Sequence, residues 1–80
     1  MVLSQRDETA KVFGERIRAL RRRSSWSQEQ LAERARLHRT YVVGIELGTR
    51  NPSLKIMARL ARALGVPLPS LFETADVEKG

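Results

Sequence analysis

Ser27-Gln-Glu-Gln-Leu-Ala-Glu-Arg-Ala-Arg-Leu-His-Arg-Thr-Tyr-Val-Val-Gly-Ile-Glu-Leu-Gly-Thr-Arg-Asn-Pro52 decides how this chain folds. It reads as two short helices joined by a tight turn, the second stopping at a glycine and followed by a basic loop. Ser27 and Gln30 have the spacing of a capping box, in which each side chain bonds the other's backbone N–H. Trp26 just before the cap and Leu31 four residues after it are placed as a hydrophobic staple, so Trp26 is read as a packing residue. Leu31, Ala32 and Ala35 face inward, and the helix ends near Ala35. The next helix begins near His38, with Leu37 and Val42 set for a second staple. Val42 and Ile45 point to the core; Arg39, Thr40, Val43 and Gly44 lie on other faces. Gly48 suits the C-terminal stop, and Thr49-Arg50-Asn51-Pro52 forms a loop.

Outward from this pair, Ala10, Phe13, Ile17 and Leu20 recur at helical spacing and predict a first helix over 7–23. Asp7 and Glu8 near its start and Arg21, Arg22 and Arg23 at its end suit the helix dipole. Ser53 caps a fourth helix over 54–64 with a broad apolar stripe of Ile56, Met57, Leu60, Ala61 and Leu64, closed by Gly65. Pro69 can start a last short helix through Leu71 and Phe72. Residues 1–6 are expected to be a disordered arm, 7–73 one domain, and 74–80 a flexible tail. The fold class is all-α: five helices around the central pair.

Eighty residues allow one small core, and a second subunit can add to its stability. The net charge is +6, carried by 12 Arg and 3 Lys against 9 acids, with a pI near 11.1. The basic residues concentrate between Arg6 and Arg23, and the end of the chain turns acidic. That asymmetry points to a polyanion on one side of the molecule. There is no cysteine, which excludes disulfides and thiolate metal sites and fits a reducing cytoplasm. No apolar run approaches the ~20 residues of a membrane span, and the start lacks the pattern of a secretory signal. His38 is the only histidine and has no partner ligands spaced for a metal; it reads as a cap or turn residue. No nucleophile–base pair can be nominated, so an enzyme is not expected. Neither a cofactor nor a small-molecule ligand is expected.

A helix-turn-helix that reads double-stranded DNA needs phosphate-binding donors at the start of its first helix and base-reading side chains near the start of its second. Gln28 follows the Ser27 cap and can offer its amide, together with free helix N–H groups, to a phosphate. Arg39 can fork onto guanine O6 and N7, and Thr40 can bond a base or touch a thymine methyl. Tyr41 either meets phosphate or sugar or packs on the fourth helix. Thr49, Arg50 and Asn51 are placed to grip the backbone again. Arg22 and Arg23 are either a solvated helix end or an electrostatic attraction for DNA, and Arg23 is taken as a phosphate contact. Gly44 falls in the interior of a helix, where glycine is unfavourable; it permits close approach of a neighbour, or marks an early end.

As a set, Ile17-Arg-Ala-Leu-Arg21, Ser27-Gln28, Leu31-Ala32, Ile45-Glu46, Gly48, Asn51-Pro-Ser-Leu54, Leu60-Ala61 and Ala63-Leu-Gly-Val66 resemble the Cro/repressor, or xenobiotic-response-element, helix-turn-helix family. Chain length, Arg39-Thr-Tyr-Val-Val-Gly-Ile-Glu46 and Arg50-Asn-Pro52 are similar to the controller proteins of restriction–modification systems. The resemblance implies a lambda-repressor-like fold in which Arg39, Thr40 and Arg50 approach bases, with Val43 and Gly44 facing the groove. Gln28, Tyr41 and Asn51 would hold phosphates. It further implies an ion pair between Arg21 and Glu46, and a symmetric dimer interface using Leu68, Leu71 and Phe72. Two positions depart from the family pattern. Arg36 stands in the turn where glycine is usual, and Leu47 where a polar or basic residue is common.

The expected protein is a cytoplasmic, nucleoid-associated homodimer that regulates transcription from a two-fold operator, either as a repressor or as an activator. An antitoxin-type module that binds both DNA and a protein partner is the alternative.

Overall fold

All four α-helices among the described residues stop in the same way. At each C-terminus one residue adopts the left-handed conformation: Ser25 (φ 61°), Arg36 (φ 60°), Gly48 (φ 81°) and Gly65 (φ 73°). Two backbone hydrogen bonds then close the end. After the second helix, Arg36 N–H donates to the Glu33 carbonyl and Leu37 N–H to that of Ala32; after the third, Gly48 and Thr49 donate to Ile45 and Gly44. These are Schellman motifs, which satisfy carbonyls that a helix end would otherwise leave open.

The computed structural model describes residues 2–73. Its elements are α1 (Val2–Arg23), α2 (Gln28–Ala35), α3 (Arg39–Leu47), α4 (Leu54–Leu64) and a final 3-10 helix (Leu68–Phe72). The last element is thus a 3-10 turn and not a fifth α-helix; five residues with Pro at the start cannot build the i to i+4 ladder of a longer helix. Helix α1 begins at Val2, earlier than the expected Asp7, and takes in most of the segment read as an arm. No Gly or Pro lies between Val2 and Asp7 to stop it. Asp7 and Glu8 consequently fall beyond the first turn, where the helix dipole no longer favours them. The expected tail at 74–80 lies outside the described residues.

Local capping agrees with the residue types. The Ser27 hydroxyl accepts from Gln30 N–H (3.0 Å), and the Gln30 side chain accepts from Ser27 N–H (2.8 Å), completing the capping box. The Ser53 hydroxyl accepts from Ile56 N–H (3.2 Å) at the start of α4. His38 occupies the cap position of α3 without a side-chain cap bond.

The core gathers one stripe from each element: Phe13, Ile17 and Leu20 from α1; Leu31, Ala32 and Ala35 from α2; Val42 and Ile45 from α3; Leu60 and Ala61 from α4; and Leu71 from the 3-10 helix. Trp26 and Leu37 pack on its edge, the positions the staples require. Two arginines close the structure from outside. Arg16 donates from Nε to the Ser70 carbonyl (2.8 Å) and pairs with Glu73 (3.3 Å), pinning the 3-10 helix to α1. Arg59 of α4 donates to the carbonyls of Ala35 (3.2 Å) and Arg36, placing a cation at the negative end of α2.

The turn between α2 and α3 keeps the left-handed geometry although Arg36 occupies it (φ 60°, ψ 48°). That conformation costs a residue with a Cβ roughly 1–2 kcal/mol. Glycine there would relieve the cost but add about 0.4–1 kcal/mol of unfolded-chain entropy. Arg36→Gly is therefore expected to stabilise by about 0.5–1 kcal/mol, because Arg59 bonds a main-chain carbonyl that the substitution keeps. Thermal melting checks this, and a lowered Tm would contradict it.

Candidate nucleic-acid interface

Helix α3 is oriented from beneath by a buried polar network. Arg21 (9 % exposed) and Glu46 (7 % exposed) form a two-pronged pair. Arg21 Nε donates to Glu46 Oε2 at 2.6 Å, and Nη2 to Oε1 at 3.0 Å. Arg21 Nη1 donates to the Trp26 carbonyl at 2.7 Å. Gln28 Nε2 donates to Glu46 Oε1 at 3.0 Å. A carboxylate only accepts, which fixes the Gln28 amide with its nitrogen toward Glu46. The hydrogen bond to Glu46 raises the Arg21 pKa, opposed by desolvation and helped by the charge of Glu46. One network thereby joins the end of α1, the turn after it, the start of α2 and the second half of α3.

With Val42, Ile45 and Glu46 turned inward, the outer side of α3 is determined. At 3.6 residues per turn, Arg39, Thr40, Val43 and Leu47 share about a third of the helix circumference. Arg39, Thr40 and Leu47 are exposed and Val43 is half-buried. Arg39 has a side chain 59 % exposed, and its nearest carboxylate, on Glu29 in α2, is 3.9 Å away and itself exposed. Such a contact is weak and leaves the guanidinium free to bond elsewhere. Leu47 is 66 % exposed and makes the far end of this face apolar.

Gln28 is half-buried. Its bond to Glu46 uses one amide hydrogen and leaves the second, plus the carbonyl oxygen, available. Thr49, Arg50 and Asn51 are exposed together in the loop after α3, and Arg23 is exposed at the end of α1. Thr49 donates its hydroxyl to the Gly44 carbonyl at 3.2 Å. Tyr41 is half-buried on the core edge with the Arg50 guanidinium 5.4 Å from its ring centre.

Two expectations need correction. Gly44 does not lie on the open side of α3. It is buried because Arg50 and Thr49 cover it: a Cβ at position 44 would sit 2.5 Å from Arg50 Cγ and 3.3 Å from Thr49 Oγ1. Leu71, expected at a subunit interface, is fully buried within its own chain, because the 3-10 helix folds back to close the core. Of the other two residues named with it, Leu68 is half-buried against the core and Phe72 is 56 % exposed, its ring 5.5 Å from that of Phe13.

The positions that hold this site but escaped the sequence reading are Gly14, Arg16 and Arg59. Only Gly14 carried a signal, as a glycine inside an otherwise regular helical pattern. Among the described residues no group of His, Asp or Glu could hold a metal ion, and no helix is long and apolar enough to cross a membrane.

Comparison with known proteins agrees with this geometry. A family described as helix-turn-helix matches residues 17–71. The chain is 44% identical over 67 residues to the control protein C.BamHI of Bacillus amyloliquefaciens, covering 82% of this chain and 83% of that protein. It is 41% identical over 61 residues to the control protein C.SmaI of Serratia marcescens, covering 76% and 73%. The crystal structure of the restriction-modification controller protein C.AhdI from Aeromonas hydrophila superimposes with a TM-score of 0.78 at 44% identity, covering 79% of this chain and 96% of that one.

Proposed function

Because this chain belongs to the helix-turn-helix family of non-enzymatic DNA-binding regulators, we propose that it acts as a homodimer on a two-fold operator and controls a restriction–modification system. The observation that carries the reading is the outward face of α3: Arg39 and Thr40 stand exposed at the helix start while Glu46, further along, is anchored to Arg21. A helix held this rigidly can present a guanidinium and a hydroxyl to the major groove with little further ordering. In this reading Arg39, Thr40 and Val43 meet base edges, and Arg50 joins them from the loop. The second amide hydrogen of Gln28, together with Tyr41, Thr49, Asn51 and Arg23, holds phosphates. The controller role rests on the likeness to C.BamHI, C.SmaI and C.AhdI.

Dimerisation would use the side of the molecule where Val12 and Phe72 are exposed beside Met57. Two copies related by a two-fold axis would set their α3 helices in successive major grooves, with half-site centres ~34 Å apart. The protein would work inside the cell, on the chromosome. Its control would come from its own concentration, since no pocket for a small effector enters this scheme.

Selection of bound duplexes from a random pool tests the reading. The recovered site should hold two related half-sites; a single isolated half-site would speak against a dimer. Arg39→Ala should lose about 1–3 kcal/mol on the selected duplex, the usual worth of one bidentate base contact, and little on random DNA. Equal losses on both duplexes would remove Arg39 from base reading. Binding to either duplex should weaken steeply with salt as condensed counterions are released.

A further inference from the structure

Gly44 is an unfavourable residue for the middle of α3, since glycine there gives up the backbone entropy that alanine would not. Its surroundings explain it. What covers Gly44 is not the core but two exposed residues of the following loop, Thr49 and above all Arg50, whose stem lies back across the helix. The site of a Cβ at position 44 is 2.5 Å from Arg50 Cγ and 3.3 Å from Arg50 Nε, so any side chain at 44 would collide with Arg50. Beyond that notch the Arg50 guanidinium rests 5.4 Å from the centre of the Tyr41 ring. Among the described residues no carboxylate pairs with Arg50 and no hydrogen bond holds it, so only the ring and the notch keep it there.

We propose that Gly44 is a positioning residue: by leaving a notch on α3 it lets Arg50 lie parked over Tyr41, withheld from DNA until a matching site draws it out. The inference rests on the DNA-reading function proposed above. It replaces a groove contact for Gly44 with an action through Arg50. An exposed cation–π contact is weak enough to be surrendered to a guanine or a phosphate, yet it shifts the free protein toward the parked position about two- to fivefold. On DNA of the wrong sequence the parked arginine adds less to backbone attraction. On the right one it adds a bidentate contact. Parking therefore acts as a filter on sequence-independent binding.

Gly44→Ala tests the proposal, because alanine suits a helix interior and its methyl group needs the Arg50 side chain to swing away and the Thr49 hydroxyl to give by only a few tenths of an ångström. In the free wild type, NMR should show contacts between the Arg50 methylenes and the Tyr41 ring, and Gly44→Ala should abolish them while the protein still melts cooperatively. Affinity for a random duplex should rise about two- to fivefold, affinity for the selected duplex should rise less, and the ratio should fall. In an Arg50→Ala background the same substitution should leave the ratio unchanged. Persistence of the Arg50–Tyr41 contacts in Gly44→Ala would overturn the proposal, as would an unchanged ratio. So would a Gly44→Ala loss on DNA that is the same with or without Arg50, which would mean that residue 44 meets DNA directly. A wild type that binds no duplex would instead sink the DNA-reading function, while the parked contact would still be visible in the free protein.

Discussion

Glu46→Ala should lower the unfolding free energy by about 3–5 kcal/mol, the usual cost of breaking a buried ion pair on one side. The reason lies in what is left behind. Glu46 accepts three hydrogen bonds, two from Arg21 and one from Gln28. Without it, Arg21 keeps only the Trp26 carbonyl for a guanidinium that is 9 % exposed. A buried charge with no counter-charge costs more than the pair contributed. Domains of this kind have only about 5–15 kcal/mol in total, and a small one sits at the low end, so the variant should lie near the threshold of folding. Urea denaturation measures the change, and a loss below about 1 kcal/mol would show that the pair is better solvated than its burial implies. The double replacement Arg21→Met with Glu46→Leu should recover most of the loss, since an apolar pair of similar volume can match a buried ion pair. Its DNA binding should not recover fully. Gln28 would lose the acceptor that orients its amide, and α3 the strut that sets its angle to α2.

The second large effect is expected at Gly14. Helix propensity alone favours Gly14→Ala by ~1 kcal/mol. Packing opposes it and wins. Gly14 is buried where α1 crosses α3, and a Cβ there would press on the Ile45 carbonyl oxygen and stand 2.7 Å from that of Glu46. The obstacle is main chain, so no rotamer change can relieve it. The Ile45 carbonyl also accepts the Gly48 N–H that closes α3, so pushing it aside disturbs the helix end and the loop that follows. Overpacking usually costs about 1–3 kcal/mol, and a rigid neighbour places this site at the upper end. Gly14→Ala should therefore lower Tm by roughly 10–15 °C, taking about 4–8 °C per kcal/mol for a domain of this size. Gly14→Val should prevent folding. A Tm equal to that of the wild type would mean that α1 and α3 can separate without loss.

Both effects act on the angle at which α3 leaves the body of the protein, and through it on the placement of Arg39 and Thr40. Of 12 arginines, Arg16, Arg21 and Arg59 are engaged inside the fold, on Ser70 and Glu73, on Glu46 and Trp26, and on the end of α2. A fourth, Arg34, stacks 4.4 Å from the centre of the Trp26 ring. The charge available to a polyanion is accordingly smaller than the composition implies; Arg18, Arg22, Arg23, Arg36, Arg39, Arg50 and Arg62 are the other exposed arginines among the described residues.

Apart from the start of α1 and the 3-10 form of the last element, the helices, the caps at Ser27 and Ser53 and most of the core stripe were legible in the amino-acid order, because they are set within one or two turns of chain. The Ser27–Gln30 box, the stop at Gly48 and the inward pair Val42 and Ile45 depend on neighbours three or four residues away, and so does the outward direction of Arg39 and Thr40. Other features depend on partners that only folding brings together. Arg16 reaches Ser70 across 54 positions, and Arg59 reaches Ala35 across 24. Leu71 reads as an interface residue until the 3-10 helix is seen folded over the core, and Gly44 reads as a groove residue until Arg50 is seen lying on it. Gly14 has no assigned role along the chain; α3 passing against it supplies one. Short-range hydrogen bonding and periodicity are written along the chain. Which surface remains open is decided by the packing of segments far apart in it, and that part of the site belonged to the tertiary structure alone.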